Sequence, residues 1–547
     1  MKHGGAGLPR PSALRALLAA PAVLLALLAA GCARAPGPAA EPMLVRGGGA
    51  EPDTLDAQKA RTVEAQTILR DLCEGLTTVA RDGGVAPGLA RQWHASSDGR
   101  TYTFALRPAR WSNGDAISAA DFVAALRRLV DPATASPYAQ VVNVIAHAPE
   151  IISGHRPVAD LGVSAPDAAT VRVELGAPAP YLPALLSHPS TCPVHRPTLA
   201  RYGAEFARPG IAVASGAFVL EEWVPGSHVR LTRNPLYWNA AANRVPAVEY
   251  EPIADENAEL LRYRADELDV TAVIPRSQLD WIRAHVPREL HLSPQLTTYY
   301  YAFNLDRALW RDHPGLRRAL SMVIDRERLA SAVLRAGEQP AWGWVPPGIA
   351  DYTPQSPDYR ALAPAARLAR ARLLYAQAGY SASHPLRLEL RYNSSELNDR
   401  IAVAVASMWK QALGAEVVLS AEEYKSLLQD IDRRDVDLFL SSWAADYNDA
   451  YTFAQVLSSD FGVNLTHYRS PVYDSLLTRA AAEVDSSRRR ALLEQAERVA
   501  LADQPLMPIY FYVNKHLVKP RVQGWYDDPL NVTYSKDLAL APVAQRR

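Results

Sequence analysis

Asp437-Leu-Phe-Leu-Ser-Ser-Trp-Ala-Ala-Asp-Tyr-Asn448 is the stretch on which the reading of this chain turns. Its apolar run, bounded by a turn cluster, predicts a buried strand, and the helix-like stretch after it puts Asp446 where that strand ends. Ligands of α/β sheets bind at strand ends. An acid there, beside Trp443 and Tyr447 and with no Lys or Arg next to it in sequence, suits a cationic group such as an amine. Asp is also common as a turn former or helix cap, and the stretch alone leaves both roles open.

Working outward, strand-like alternation and helix-like periodicity take turns along the chain, which argues an α/β fold rather than a sandwich or a bundle. Thr170-Val-Arg-Val-Glu-Leu175 and Leu386-Arg-Leu-Glu-Leu-Arg-Tyr392 alternate strictly, as strands with one wet face do. Ser118-Ala-Ala-Asp121 is a variant of the capping box, and Phe122, Leu126 and Leu129 then share one helical face. Asn398 to Leu413 and Arg488 to Ala502 also read as amphipathic helices. Their apolar stripes are core.

Residues 1–32 read as an export signal: Lys2, Arg10 and Arg15, an apolar stretch from Ala16 to Ala30 broken by Pro21, then Gly31-Cys32. The stretch is shorter than the roughly 20 residues of a membrane-spanning helix. Leu28-Ala-Ala-Gly-Cys32 looks like a lipoprotein cleavage box, in which Cys32 would carry the lipid. Residues 33–41, rich in Ala, Pro and Gly, would form a flexible tether.

The rest of the chain is too long for one core, so two or three domains are expected. Lys plus Arg and Asp plus Glu balance at 58 each, with a pI near 7.2. No global charge therefore points to nucleic acid or to anionic lipid. After Cys32 only Cys73 and Cys192 remain, 119 positions apart; an oxidising compartment permits a disulfide, but the expectation here is two buried thiols.

Many separate stretches resemble the periplasmic oligopeptide-binding proteins of bacterial ABC importers, within the large solute-binding proteins. The opening resembles it at Glu51-Pro-Asp-Thr-Leu-Asp56 and Asp71-Leu-Cys-Glu-Gly-Leu76, followed by Ala86-Pro-Gly-Leu-Ala90, Asp98 to Arg107 and Trp111-Ser-Asn-Gly-Asp115. Further matches are Ala135-Ser-Pro-Tyr138, Arg233 to Trp238, Thr298 to Asn304 and Arg317 to Arg326. Trp443-Ala-Ala-Asp-Tyr-Asn448 and Thr466-His-Tyr-Arg-Ser-Pro471 are similar to the peptide-binding branch. The resemblance covers nearly all of residues 42–540, in order.

It implies an α/β, two-lobed periplasmic-binding-protein clamshell with hinge strands and an extra subdomain in the first lobe. Lobe one would take 42–73, 200–297 and 514–547, with 74–199 as the subdomain, and lobe two would be 298–513. Hinge strands would cross near Tyr299 and Tyr512, with Tyr299 to Tyr301 as hinge packing. By position Asp446 matches the family's acid for a ligand's N-terminal ammonium. Ligand backbone would be held by strand addition from Ser442-Trp443-Ala444 and from Arg61-Thr62-Val63. Trp443 and Tyr447 would wall the first pockets, with burial as core aromatics the competing role, and Tyr138 would be a backbone contact.

Relatives often meet the ligand's carboxylate with basic residues at positions that fall here on Asn398, Ile431 and Leu440, none of them basic. Arg433 and Arg434 lie close but out of register. Fixed-length recognition of short free peptides is therefore not implied, and longer, blocked or cell-wall peptides stay open.

No nucleophile elbow, His-Glu-x-x-His pair or phosphate loop is present, so no enzyme is expected. Cys192-Pro-Val-His195 with His188 has metal-like residue types but too few ligands for a site, and no cofactor or metal is expected. The implied partners are peptides, an ABC permease and ATPase complex, and a membrane reached through lipid on Cys32, for a periplasmic monomer that binds no nucleic acid. Competing roles are binding of murein-derived or non-peptide cationic ligands, and a peptide sensor or chaperone without transport.

Overall fold

Three sheets carry the computed structural model, which describes residues 1–5, 42–349 and 351–541. Cys32, the apolar stretch before it and the tether at 33–41 lie outside the described residues. Among those described, no helix is long and apolar enough to cross a membrane.

The first sheet has four strands. Met43–Gly47 runs parallel to Ala247–Glu251, which pairs antiparallel with His228–Arg233 and, through it, Phe218–Val224. Helix Val63–Leu72 packs Ile68, Leu69 and Leu72 into one core with Leu44, Phe218, Leu231 and Val248. A second, antiparallel sheet orders Ala90–Ala95, Thr101–Leu106, Thr170–Glu174 and Val163–Asp167. Phe122, Leu126 and Leu129 of helix Ala119–Val130 cover it against Phe104, Val171 and Val173. The capping box at Ser118 forms: Asp121 Oδ2 accepts from Ser118 N at 2.8 Å.

The third sheet has six strands, in the order Gln339–Pro340, Leu506–Leu517, Leu290–Phe303, Leu438–Ala444, Arg387–Asn393 and Glu416–Glu422. Leu388, Leu390 and Tyr392 point inward from their strand, as strict alternation predicts. Around the sheet packs the largest core, with Trp310, Trp344 and Trp409 fully enclosed. Helix Glu396–Leu413 starts two residues before its expected position, because Ser395 caps it by accepting from Asn398 N at 3.1 Å, and ends at Gly414, whose φ of 77° stops it. Helix Ser486–Asp503 starts under Asp485 in the same manner.

The long strands Leu290–Phe303 and Leu506–Leu517 join two cores. Leu290 and Leu517 pack with Leu260, Tyr263 and Ile282, whereas Tyr299 to Phe303 and Leu506 to Tyr510, apart from Pro508, belong to the largest core. Their register shifts between Pro294 and Thr298, and there Leu296 N donates to Pro529 O instead. An interrupted ladder between two packed bodies is where a two-stranded link bends at least cost.

One expectation is corrected. Cys73 and Cys192 are not free thiols but a disulfide, with Cα atoms 6.1 Å apart. Cys73 ends helix Val63–Leu72, and Cys192 ends a short turn at Pro189–Thr191. Folding brings these ends together across 119 residues, a proximity that spacing alone does not reveal. Gln58 Nε2 reinforces the join by donating to the carbonyls of Ser190 and Cys192, each at 3.1 Å.

Candidate functional site: an open strand edge ending in an isolated carboxylate

Leu438–Ala444 pairs along its whole length with Leu290–Phe303, from Phe303↔Leu438 to Thr297↔Ala444. On its other side Arg387–Asn393 pairs only as far as Leu390↔Leu438 and Arg391↔Phe439. Among the described residues, that edge meets no strand from Leu440 onward. Burial follows: Leu438, Phe439 and Leu440 are buried, Ser442 and Ala444 exposed.

Ala445 N donates to Leu296 O at 2.8 Å. Because backbone groups alternate sides along a strand, the amides and carbonyls of Ser442 and Ala444 therefore face the open edge. An extended chain laid there would gain ladder hydrogen bonds regardless of its side chains.

Asp446 stands just past the strand. Its amide donates to Thr452 Oγ1 at 3.3 Å. Asp446 is exposed, yet the protein packed near it desolvates its carboxyl and pushes it up to about 6, offset by the Thr452 hydroxyl. No cation among the described residues contributes. A carboxylate held without a counter-charge beside open backbone groups is a site that an incoming ammonium would complete.

Trp443 is half-buried against the large core, and its buried Nε1 has no hydrogen-bond partner among the described residues. Tyr447 differs from expectation. It is 2% exposed and stacks on Tyr181, with centroids 5.1 Å apart and planes at 7°. Tyr181 is flanked by Tyr451 as well, at 4.8 Å, and Arg489 grips Asp449 with two bonds of 2.7 and 2.8 Å. The loop after Asp446 thus packs on the 74–199 segment in this structure, where Tyr447 is buried in the contact and walls no open pocket. Nothing in the sequence indicated that Tyr181 would stack with Tyr447 and Tyr451.

Arg61, Thr62 and Val63 also depart from the expected strand. Thr62 is the N-cap of helix Val63–Leu72, accepting from Ala65 N at 3.2 Å. Asp53 accepts from the amides of Arg61 at 2.9 Å and Thr62 at 3.4 Å, and Tyr138 donates its hydroxyl to Arg61 O at 3.3 Å. The segment's polar groups are spent on the fold itself, which leaves the Arg61 and Val63 side chains exposed. The Tyr138 hydroxyl bonds here to this chain's own backbone.

Asn398, Ile431 and Leu440 do converge. They line one cavity of about 240 Å³, together with Ser441 and Ser442 of the open edge. The nearby arginines turn away: Arg433 pairs with Asp430, and Arg434 with Asp306 at 2.6 Å. Tyr512 lines this cavity and also a larger one of about 700 Å³, whose charged residues include Arg276, Arg335, Arg400 and Lys515 among Glu256, Asp280 and Glu396. Arg276 and Lys515 are neutralised by Glu338 at 2.7 and 3.0 Å, and Arg335 by Asp280 at 2.9 Å.

Residues 84–464 match the family model for bacterial extracellular solute-binding proteins, family 5. The periplasmic oligopeptide-binding protein OppA of Escherichia coli is 38% identical over 500 residues, covering 90% of this chain and 92% of that protein. The periplasmic murein peptide-binding protein MppA of Escherichia coli is 36% identical over 89% of this chain and 91% of its own length. Among solved structures, the unliganded open form of MppA superposes with a TM-score of 0.82 at 36% identity, covering 92% of this chain and 98% of that one. Haemophilus influenzae OppA in complex with the peptide RPPGFSPFR gives 0.76 at 33% identity, covering 92% and 99%. The α/β periplasmic-binding-protein architecture expected from the sequence is the observed one, and the chain belongs to the family 5 bacterial extracellular solute-binding proteins.

Proposed function

We propose that this protein is the substrate-binding component of an ABC importer, capturing oligopeptides between two closing lobes and delivering them to an inner-membrane permease. Asp446 carries the reading: an uncompensated carboxylate next to the free backbone groups of Ser442 and Ala444. Every free peptide offers the two matching features, an ammonium and a repeating backbone. Relatives of more than 30% identity named for oligopeptide binding support the same substrate class. Trp443 adds an aromatic face beside the edge.

The two long strands with the register shift near Leu296 would be the hinge, between lobe one (42–73, 200–297, 514–547, with the 74–199 subdomain) and lobe two (298–513). Ligand contacts in both lobes would favour the closed form, and only that form would present a matched surface to the permease. Arg61, Val63 and Tyr138 would face the ligand from lobe one by side chain. Lipid on Cys32 would tether a periplasmic monomer to its membrane.

A second reading, a murein-derived peptide, is favoured by one observation: the murein peptide-binding protein MppA is 36% identical, and its open form superposes with a TM-score of 0.82. Denaturing the purified protein and identifying by mass spectrometry what its cleft retained decides between them. Ordinary peptides support the first reading and diaminopimelate-containing peptides the second. A retained compound without a primary amine overturns both.

A further inference from the structure

The cavity beside the open edge is built without charge. We propose that it receives one bulky, uncharged side chain of the bound peptide and discriminates against charged ones at that position; the proposal rests on the peptide reading above. Three observations carry it.

First, the lining is aromatic, aliphatic, hydroxyl and amide only: Tyr299, Tyr424 and Tyr512 supply rings, and Leu428, Ile431 and Leu440 supply aliphatic surface. Second, the polar floor is already satisfied from within. Asn398 Nδ2 donates to the Asn393 carbonyl at 2.9 Å and to its Oδ1 at 3.0 Å, while Asn398 Oδ1 accepts from Tyr299 at 3.1 Å. A ligand carboxylate entering here would find no cation, only the neutral donors of hydroxyls and of the Asn393 and Ser442 amides, and an ammonium would find no acid. Third, Tyr424 and Leu428 are 60% and 37% exposed on one side of helix Tyr424–Asp432. Large apolar groups left bare beside a binding edge mark a surface completed by a ligand.

The occupant follows from continuity. Ser441 and Ser442 belong both to the cavity wall and to the strand whose edge is open, so a peptide added to that strand passes the cavity mouth. At about 240 Å³ the space holds several waters. An uncharged side chain replaces them with contacts, whereas a charged one surrenders hydration to groups that cannot repay it. The same logic keeps a peptide's terminal carboxylate out, so its chain must run on past the cavity.

The test is calorimetry with tetrapeptides Ala-X-Ala-Ala, Ala-Ala-X-Ala and Ala-Ala-Ala-X, where X is Phe, Gln, Asp or Lys. The expected result is a single position at which Phe and Gln bind at least about tenfold tighter than Asp and Lys. Leu428→Arg, on the exposed rim, should recover Asp over Lys by about tenfold at that position alone; Leu440→Arg, deeper in, should do the same if it folds. Equal affinities for all four side chains at every position overturn the inference while leaving peptide binding intact, and so does a Leu428→Arg effect spread evenly over the three positions. Failure to bind of every tetrapeptide, and of the same series lengthened by three C-terminal Ala residues, overturns the peptide reading and this inference with it.

Discussion

Replacing Asp446 by Asn keeps the shape of the side chain and removes its charge. Taking one partner from an enclosed charge pair costs about 3–5 kcal/mol. Asp446 is exposed in the empty protein and keeps its Thr452 hydroxyl, which puts the expected loss nearer 2–3 kcal/mol, or about a hundredfold in Kd. The pH dependence carries its own sign. The carboxyl titrates at about 6 in the empty protein, so below that pH an arriving ammonium must expel a proton, and affinity should fall by up to about tenfold per pH unit. On the alkaline side the peptide amine itself loses its proton above about pH 8. Affinity should therefore plateau between the two, and Asp446→Asn should lose the acidic limb. The empty protein behaves oppositely. A carboxyl raised above its unfolded value favours folding most when protonated, so its contribution declines as pH rises from about 4 to about 6. Asp446→Asn should thus melt at or above the wild-type temperature at pH 7.5. Calorimetric titrations from pH 5 to 8.5, paired with thermal melts, read both effects. A Kd flat across pH 5–7, or a variant that binds within threefold of wild type, refutes the assignment.

Other expectations follow from single contacts. Neither Cys73 nor Cys192 should react with a thiol reagent before reduction, and Cys73→Ser with Cys192→Ser should cost about 2–4 kcal/mol in denaturant melts, because the bridge closes a long loop. Arg489→Met leaves Asp449 without its partner beneath the Tyr181 stack; a loss of about 2–4 kcal/mol is expected by the same assay, with weaker peptide binding because Asp446 sits on the loop that this pair fixes. Cys32→Ser should abolish acylation and leave the precursor unprocessed, as read by mass spectrometry of the membrane fraction.

Much of this was legible because it rests on local rules. The strand Leu438–Ala444 and the acid beyond it could be read from an apolar run closed by a turn, and helix Ala119–Val130 from its capping box. What local rules do not encode is which distant groups meet. The family resemblance implied strand addition at Arg61-Thr62-Val63, yet Thr62 caps a helix, with Asp53 eight and nine residues back holding the amides of Arg61 and Thr62. Tyr447 looked like a pocket wall because aromatic residues serve equally as core, and only the arrival of Tyr181 from another part of the chain decides between these roles. The disulfide is the same case: two cysteines at helix and turn ends carry no sign of each other until the sheets are packed. The neutral cavity falls between. Its three non-basic positions were visible one by one, but their convergence was supplied by the six-stranded sheet and its covering helices.

The polarity of the cleft is tested most directly by calorimetry on one peptide in three forms: free, N-acetylated and C-amidated. With the amine at Asp446 and no cation at Asn398, Ile431 or Leu440, acetylation should weaken binding by about a hundredfold and amidation by less than about threefold. Harmless acetylation together with ruinous amidation would contradict it.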